Sequence, residues 1–88
     1  MEEKESQRKK FILHYESIFS EIYIENHDSL PEETFISIFN GKGEQKMVEK
    51  FNSLKRDRFN VRFLIPGCDY TAKIGTQSGI EIKKFRIP

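Results

Sequence analysis

Apolar positions in the first quarter of the chain recur at helical steps. Phe11, Tyr15, Ile18 and Ile22, with Ile12, Phe19 and Tyr23 beside them, follow three-, four- and seven-residue spacings. Such spacing makes one broad apolar stripe on an amphipathic helix. It predicts a helix over about 8–27, ended by the turn formers Asn26-His27-Asp28. Leu13 and Ile24 fall outside the stripe and offer a homodimer contact through this first helix. Ser29-Leu30-Pro31-Glu32 reads as a helix start, with Ser29 as cap, Pro31 in the first turn and Glu32 closing a capping box. A short second helix is expected over 31–39, with Phe35, Ile38 and Phe39 on one face. Thr34 to Phe39 also suits a strand. Asn40-Gly41-Lys42-Gly43 is a stop in which Gly41 takes the left-handed cap. A third helix, over 44–58, has Met47, Val48, Phe51, Leu54 and Arg58 along one face.

From Phe59 the period drops to two. Phe59, Val61, Phe63 and Ile65 point one way, and Asn60, Arg62 and Leu64 the other. The expected strands are 59–65, 69–74 and 80–87. Pro66-Gly67 turns between the first two and a Gly75–Gly79 loop joins the last two. Tyr70, Ala72 and Ile74 face inward on the second strand, Ile80 and Ile82 on the third. A slip of phase at Lys83-Lys84 marks a bulge.

The predicted fold class is therefore α+β: three N-terminal helices followed by a three-stranded antiparallel meander. Helix 31–39, a short Gly-containing turn and helix 44–58 have the proportions of a helix-turn-helix, with the hairpin as a wing. In element order this resembles the winged-helix arrangement. At 88 residues the chain holds one domain, expected over 8–88 behind a flexible lead-in at 1–7. Eight Phe and three Tyr make it too aromatic for a disordered segment. No apolar run approaches the ~18 residues of a membrane span, so no membrane partner is expected. The charged start lacks the pattern of a secretory signal. A single cysteine, Cys68, points to a reducing, cytoplasmic setting.

Charge changes the picture once it is split. Residues 1–45 hold five basic groups against ten acidic ones, and residues 46–88 hold ten against four. A net −5 half thus precedes a net +6 half, although the whole chain carries only +1. A basic half suggests an anionic partner. The expected function is a small non-catalytic nucleic-acid-binding protein. Lys46, Lys50, Asn52, Lys55 and Arg56 would lie on the exposed face of the third helix, and Arg62, Lys73, Lys83, Lys84 and Arg86 on the sheet. Each neutralised phosphate releases counterions, which gives affinity without shape complementarity. The same residues also suit a solvated face and a lysine-protected sheet edge.

Two other readings follow from the same residues. One is a regulator or inhibitor that meets an acidic protein surface through charge complementarity, with Glu16, Glu21, Glu25 and Asp28 mimicking phosphates and Tyr15, Tyr23 and Tyr70 as anchors. The other rests on Asp69 at a strand start and Glu81-Ile82-Lys83 on the next strand. This pattern resembles the PD-(D/E)xK nucleases. The resemblance implies Asp69 and Glu81 as Mg²⁺ ligands and Lys83 as the catalytic lysine. His14, His27 and one cysteine give no zinc spacing, and no cofactor is expected.

Overall fold

The computed structural model describes residues 10–27, 31–53 and 55–88, and among them it holds seven strands and no helix. They are β1 (Phe11–Glu16), β2 (Glu21–Asn26), β3 (Glu32–Phe39), β4 (Gln45–Ser53), β5 (Arg56–Asn60), β6 (Asp69–Thr76) and β7 (Gly79–Arg86). All pairings are antiparallel. One sheet has the order β1-β2-β5 and the other β4-β3-β6-β7. The described residues are all-β, which overturns the α+β, winged-helix-like expectation. The expected lead-in at 1–7, the cap at Ser29 and Leu54 lie outside the described residues. No helix among the described residues is long and apolar enough to cross a membrane.

The reason for the misreading is arithmetic. Residues four apart share a face in both a helix and a strand, so Phe11 and Tyr15 fit either period. Leu13 decides between them. With Phe11 and Tyr15 it completes an alternating row, and Ile22, Ile24 and Asn26 do the same across the ladder. Between them the turn at 17–20 shifts the phase. Leu13 and Ile24 therefore pack inward, Ile24 with no exposure at all, rather than standing outside an apolar stripe as the helical reading expected.

The segment expected as helix 31–39 is β3, with Thr34, Ile36 and Ile38 buried. Its β-branched and aromatic residues favour a pleated surface and outweigh the capping signal. Helix 44–58 is replaced by β4 and β5. As outer strands exposed over much of their length, they carry many charges, which imitates the polar face of a helix. The helix stop at 40–43 is a hairpin turn instead. Asn40 Oδ1 accepts from the amides of Lys42 and Glu44, each at 2.9 Å. Gly43, not Gly41, takes the positive φ of 83°.

The strands on either side of residues 28–30 and 54 pair in different sheets, β3 with β4 in one and β2 with β5 in the other. Between the ends of β2 and β4, Asn26 Nδ2 donates to Ser53 Oγ at 2.6 Å in a buried position, so a polar pair is satisfied where the sheets meet. Phe51 of β4 and Phe59 of β5 meet edge to face, ring centroids 5.0 Å apart. The inner faces share one core of Phe11, Ile22, Ile24, Ile36, Ile38, Tyr70, Ala72 and Ile74, closed by Val61, Leu64 and Ile87.

The second half also departs from expectation. The strand expected over 59–65 stops at Asn60, and residues 61–68 form turns, leaving Phe63 and Ile65 exposed. β7 pairs with β6 without a slip from Thr76↔Gly79 to Asp69↔Arg86. Its phase is opposite to that expected: Ile80 and Ile82 face outward, while Glu81 and Lys83 face inward beside Ile74 and Ala72. The bulge lies elsewhere, between Ile38 and Phe39 opposite Met47 and Gln45.

Candidate nucleic-acid interface

The outer face of the four-stranded sheet is open among the described residues, with Phe35, Val48, Ile80 and Ile82 exposed on it. Register places its side chains in rows across β4, β3, β6 and β7. Lys50, Phe35, Gly75 and Ile80 form one row; Val48, Ser37, Lys73 and Ile82 the next; Phe39, Thr71 and Lys84 the third. Asp69 and Arg86 end the face. The alternation that buries Ile36 and Ile38 turns Phe35 and Phe39 out.

Both phenyl rings carry a lysine. Lys50 Nζ stands 6.0 Å from the Phe35 centroid and Lys73 Nζ 4.9 Å from that of Phe39. Lys50 is also 3.2 Å from Glu33 Oε2. Arg86 binds Asp69 Oδ1 at 3.0 Å and the Gly67 carbonyl at 3.1 Å. Among the described residues, Lys73 and Lys84 have no carboxylate at ion-pair distance. Both line a depression of about 850 Å³ together with Phe39, Thr71 and Arg86, walled on one side by the Asn40–Gly43 turn.

The ten expected site residues are thus only partly gathered. Lys50, Asn52, Lys73, Lys84 and Arg86 share the open face. Lys46 is the extra residue of the bulge at its edge, 3.8 Å from Glu44. Lys55 precedes β5, and its carbonyl accepts from the Asn26 amide. Arg56 belongs to the other sheet, bound to Glu25 Oε2 at 2.9 Å. Arg62 sits in the turn after β5. Lys83 is inside, with Nζ 3.3 Å from Glu81 Oε1. The acidic first half therefore neutralises part of the basic second half through Glu25, Glu33 and Glu44.

Phe35 and Phe39 were missing from the expected site, because a helical reading of Thr34–Phe39 sends them to the core. Period two in Thr-Phe-Ile-Ser-Ile-Phe would have separated them from Ile36 and Ile38. Arg58 was missed for the same reason. It is exposed on the three-stranded sheet, where its guanidinium and that of Arg56 lie 5.2 and 5.4 Å from the Tyr23 centroid.

Asp69, Glu81 and Lys83 do not form a metal site. Asp69 is on the outer face with Arg86, whereas Glu81 is on the inner face opposite Ile74. Five residues of β6 separate the two registers, about 17 Å along the strand. No family model, curated protein or solved structure matches the chain.

Proposed function

We propose that this chain binds single-stranded nucleic acid, without catalysis, on the outer face of its four-stranded sheet. The observation that carries the reading is the Lys73 ammonium 4.9 Å from the Phe39 ring, beside Lys84 and above an open depression. Aromatic rings on a cationic surface accept unpaired bases by stacking, while the ammonium groups meet the phosphates. Phe35 and Phe39 are four residues apart on β3, about 13 Å along the strand, so they contact bases that are not adjacent. Arg86 adds a phosphate contact when it leaves Asp69. The lone cysteine Cys68, free and half-buried, supports a cytoplasmic setting.

Two unneutralised lysines, aided by Lys50 and Arg86, make a modest electrostatic surface. Neutralising two to four phosphates of a single strand gives a log–log salt slope of about −1.4 to −2.8. Fluorescence anisotropy with labelled oligo-dT and oligo-rU, at about 20 and about 200 mM salt, measures this. Binding with such a slope, weakened by Phe39→Ala, is the expected result. No binding at the lower salt sinks the reading. A second reading then takes its place, in which Val48, Ile80 and Ile82, all exposed on this face, meet an acidic and apolar protein surface.

A further inference from the structure

Charge is spread unevenly along the open face of the four-stranded sheet. Glu33, Phe35, Ser37 and Phe39 follow one another on the outer side of β3, and Glu33 is about 20 Å from Phe39 along the strand. At the Glu33 end the nearest cation, Lys50, lies 3.2 Å from the Glu33 carboxylate. The middle is apolar, with Phe35, Val48, Ile80 and Ile82 exposed. At the Phe39 end three cations stand on two adjacent strands, Lys73 of β6 with Lys84 and Arg86 of β7. Lys84 pairs with Thr71, two residues from Lys73, so the two lysines are diagonal neighbours about 7–8 Å apart at Cα. All three cations line the depression of about 850 Å³ together with Phe39 and Thr71. Asp69, 3.0 Å from Arg86, is the one carboxylate among the described residues that line it. Three cations against one carboxylate leave an excess of two positive charges. Glu44, the acid of the neighbouring turn, does not line the depression; it accepts from Asn40 Nδ2 at 2.7 Å and lies 3.8 Å from Lys46.

A long run of diester phosphates does not match this pattern. Each linkage carries a single negative charge, and a groove for an extended strand spreads its cations along the backbone path. A strand laid along this whole face meets Glu33 at the far end instead. A terminal phosphate monoester matches it. Such a group carries a charge of about −1.5 to −2 near neutral pH and presents its acceptor oxygens at one point. Ammonium and guanidinium groups donate strong charge-assisted hydrogen bonds to it. The Asn40–Gly43 turn, which joins β3 to β4 just beyond Phe39, walls the face at this end.

Resting on the single-strand reading above, we infer that the depression recognises the phosphorylated end of a strand. The terminal phosphate monoester lies among Lys73, Lys84 and Arg86, and the terminal base lies on Phe39. The following bases lie over the apolar middle of the face, with their phosphates toward solvent and short of Glu33. The ligand is then a short phosphorylated end, not an internal stretch of a long strand.

Isothermal titration calorimetry with unlabelled oligo-dT of about six nucleotides tests this, using a 5′-phosphate, a 3′-phosphate or hydroxyls at both ends. One phosphorylated form is expected to bind about tenfold or more tightly than the hydroxyl form. Lys84→Met and Arg86→Gln should each cut that advantage to about threefold or less. Arg86→Gln gives up the bonds to Asp69 and the Gly67 carbonyl. Lys84 has no carboxylate at ion-pair distance among the described residues, so its variant keeps the test alive if the other impairs folding. Arg62→Gln, the same loss of charge in the turn after β5, should keep the advantage. Equal affinity for all three ends overturns the inference and leaves the single-strand reading standing. Failure of every oligonucleotide to bind sinks that reading and this inference with it. An advantage undiminished in both Lys84→Met and Arg86→Gln also overturns the inference. So does thymidine 5′-monophosphate binding as tightly as the phosphorylated oligomer, which makes a free nucleotide the ligand.

Discussion

The carboxylate of Glu81 accepts a hydrogen bond from the backbone amide of Lys10 at 2.8 Å, and its other oxygen lies 3.3 Å from the amide of Phe11. This joins β7 to β1, which run side by side with no backbone ladder between them among the described residues. A side chain replaces the ladder where the edge strands β1 and β7 of the two sheets meet. Lys10 in turn forms an ion pair with Glu32 at the start of β3. Glu81→Ala leaves partly buried amide donors without an acceptor and Lys83 without its partner. It is expected to lower the unfolding free energy by about 2–4 kcal/mol, read by urea denaturation. A loss under about 0.5 kcal/mol would mean that water satisfies the seam equally well.

Lys83 and Lys84 are sequence neighbours with opposite roles. Lys83 is 16% exposed and lies against Glu81, whereas Lys84 points outward beside Thr71. Lys83→Met is expected to cost about 1–2 kcal/mol of stability and to leave oligonucleotide affinity unchanged. Lys84→Met should leave the melting temperature within about 2 °C and weaken binding severalfold. Thermal unfolding and anisotropy on both variants decide it; loss of binding in Lys83→Met with native stability would contradict this division.

Stacking and charge are separable on the candidate face. Phe39→Leu keeps apolar bulk but removes the ring. Affinity for single strands should fall about fivefold or more with the salt slope unchanged. Lys73→Met should flatten the slope by about 0.7. If both variants change affinity and slope alike, the ring and the ammonium do not act as distinct contacts.

Of the second half, β6 was legible because its alternation is strong: Tyr70, Ala72 and Ile74 are inward as the period required. The first half was not, because its hairpins place four-residue repeats on both sides of a phase-shifting turn. Pairs such as Phe11 and Tyr15 then satisfy two periods at once. β7 misled in another way. Its inward positions hold Glu81 and Lys83, which only the seam to β1 explains, and that contact joins residues 70 apart in sequence. The cations of the site were legible as a charge asymmetry. Their partners were not, since Glu33 with Lys50 and Glu25 with Arg56 meet only through strand register. Phe35 and Phe39 became visible as surface residues only once β3 was a strand.

Gly75 offers the most local test of that register. It lies on the outer face between Phe35 of β3 and Ile80 of β7. A methyl group built there meets Ile80 Cγ1 at 3.6 Å and Phe35 Cδ2 at 3.9 Å, ordinary van der Waals contacts. Glycine within a strand loses more backbone entropy on folding than alanine and contributes no side-chain packing. Gly75→Ala should therefore stabilise the fold by about 0.5–1 kcal/mol, seen as a higher urea midpoint at constant slope. Were β6 shifted by one residue, position 75 would face the core instead. The added methyl would then crowd Ile36 and Ile38, and the midpoint would fall.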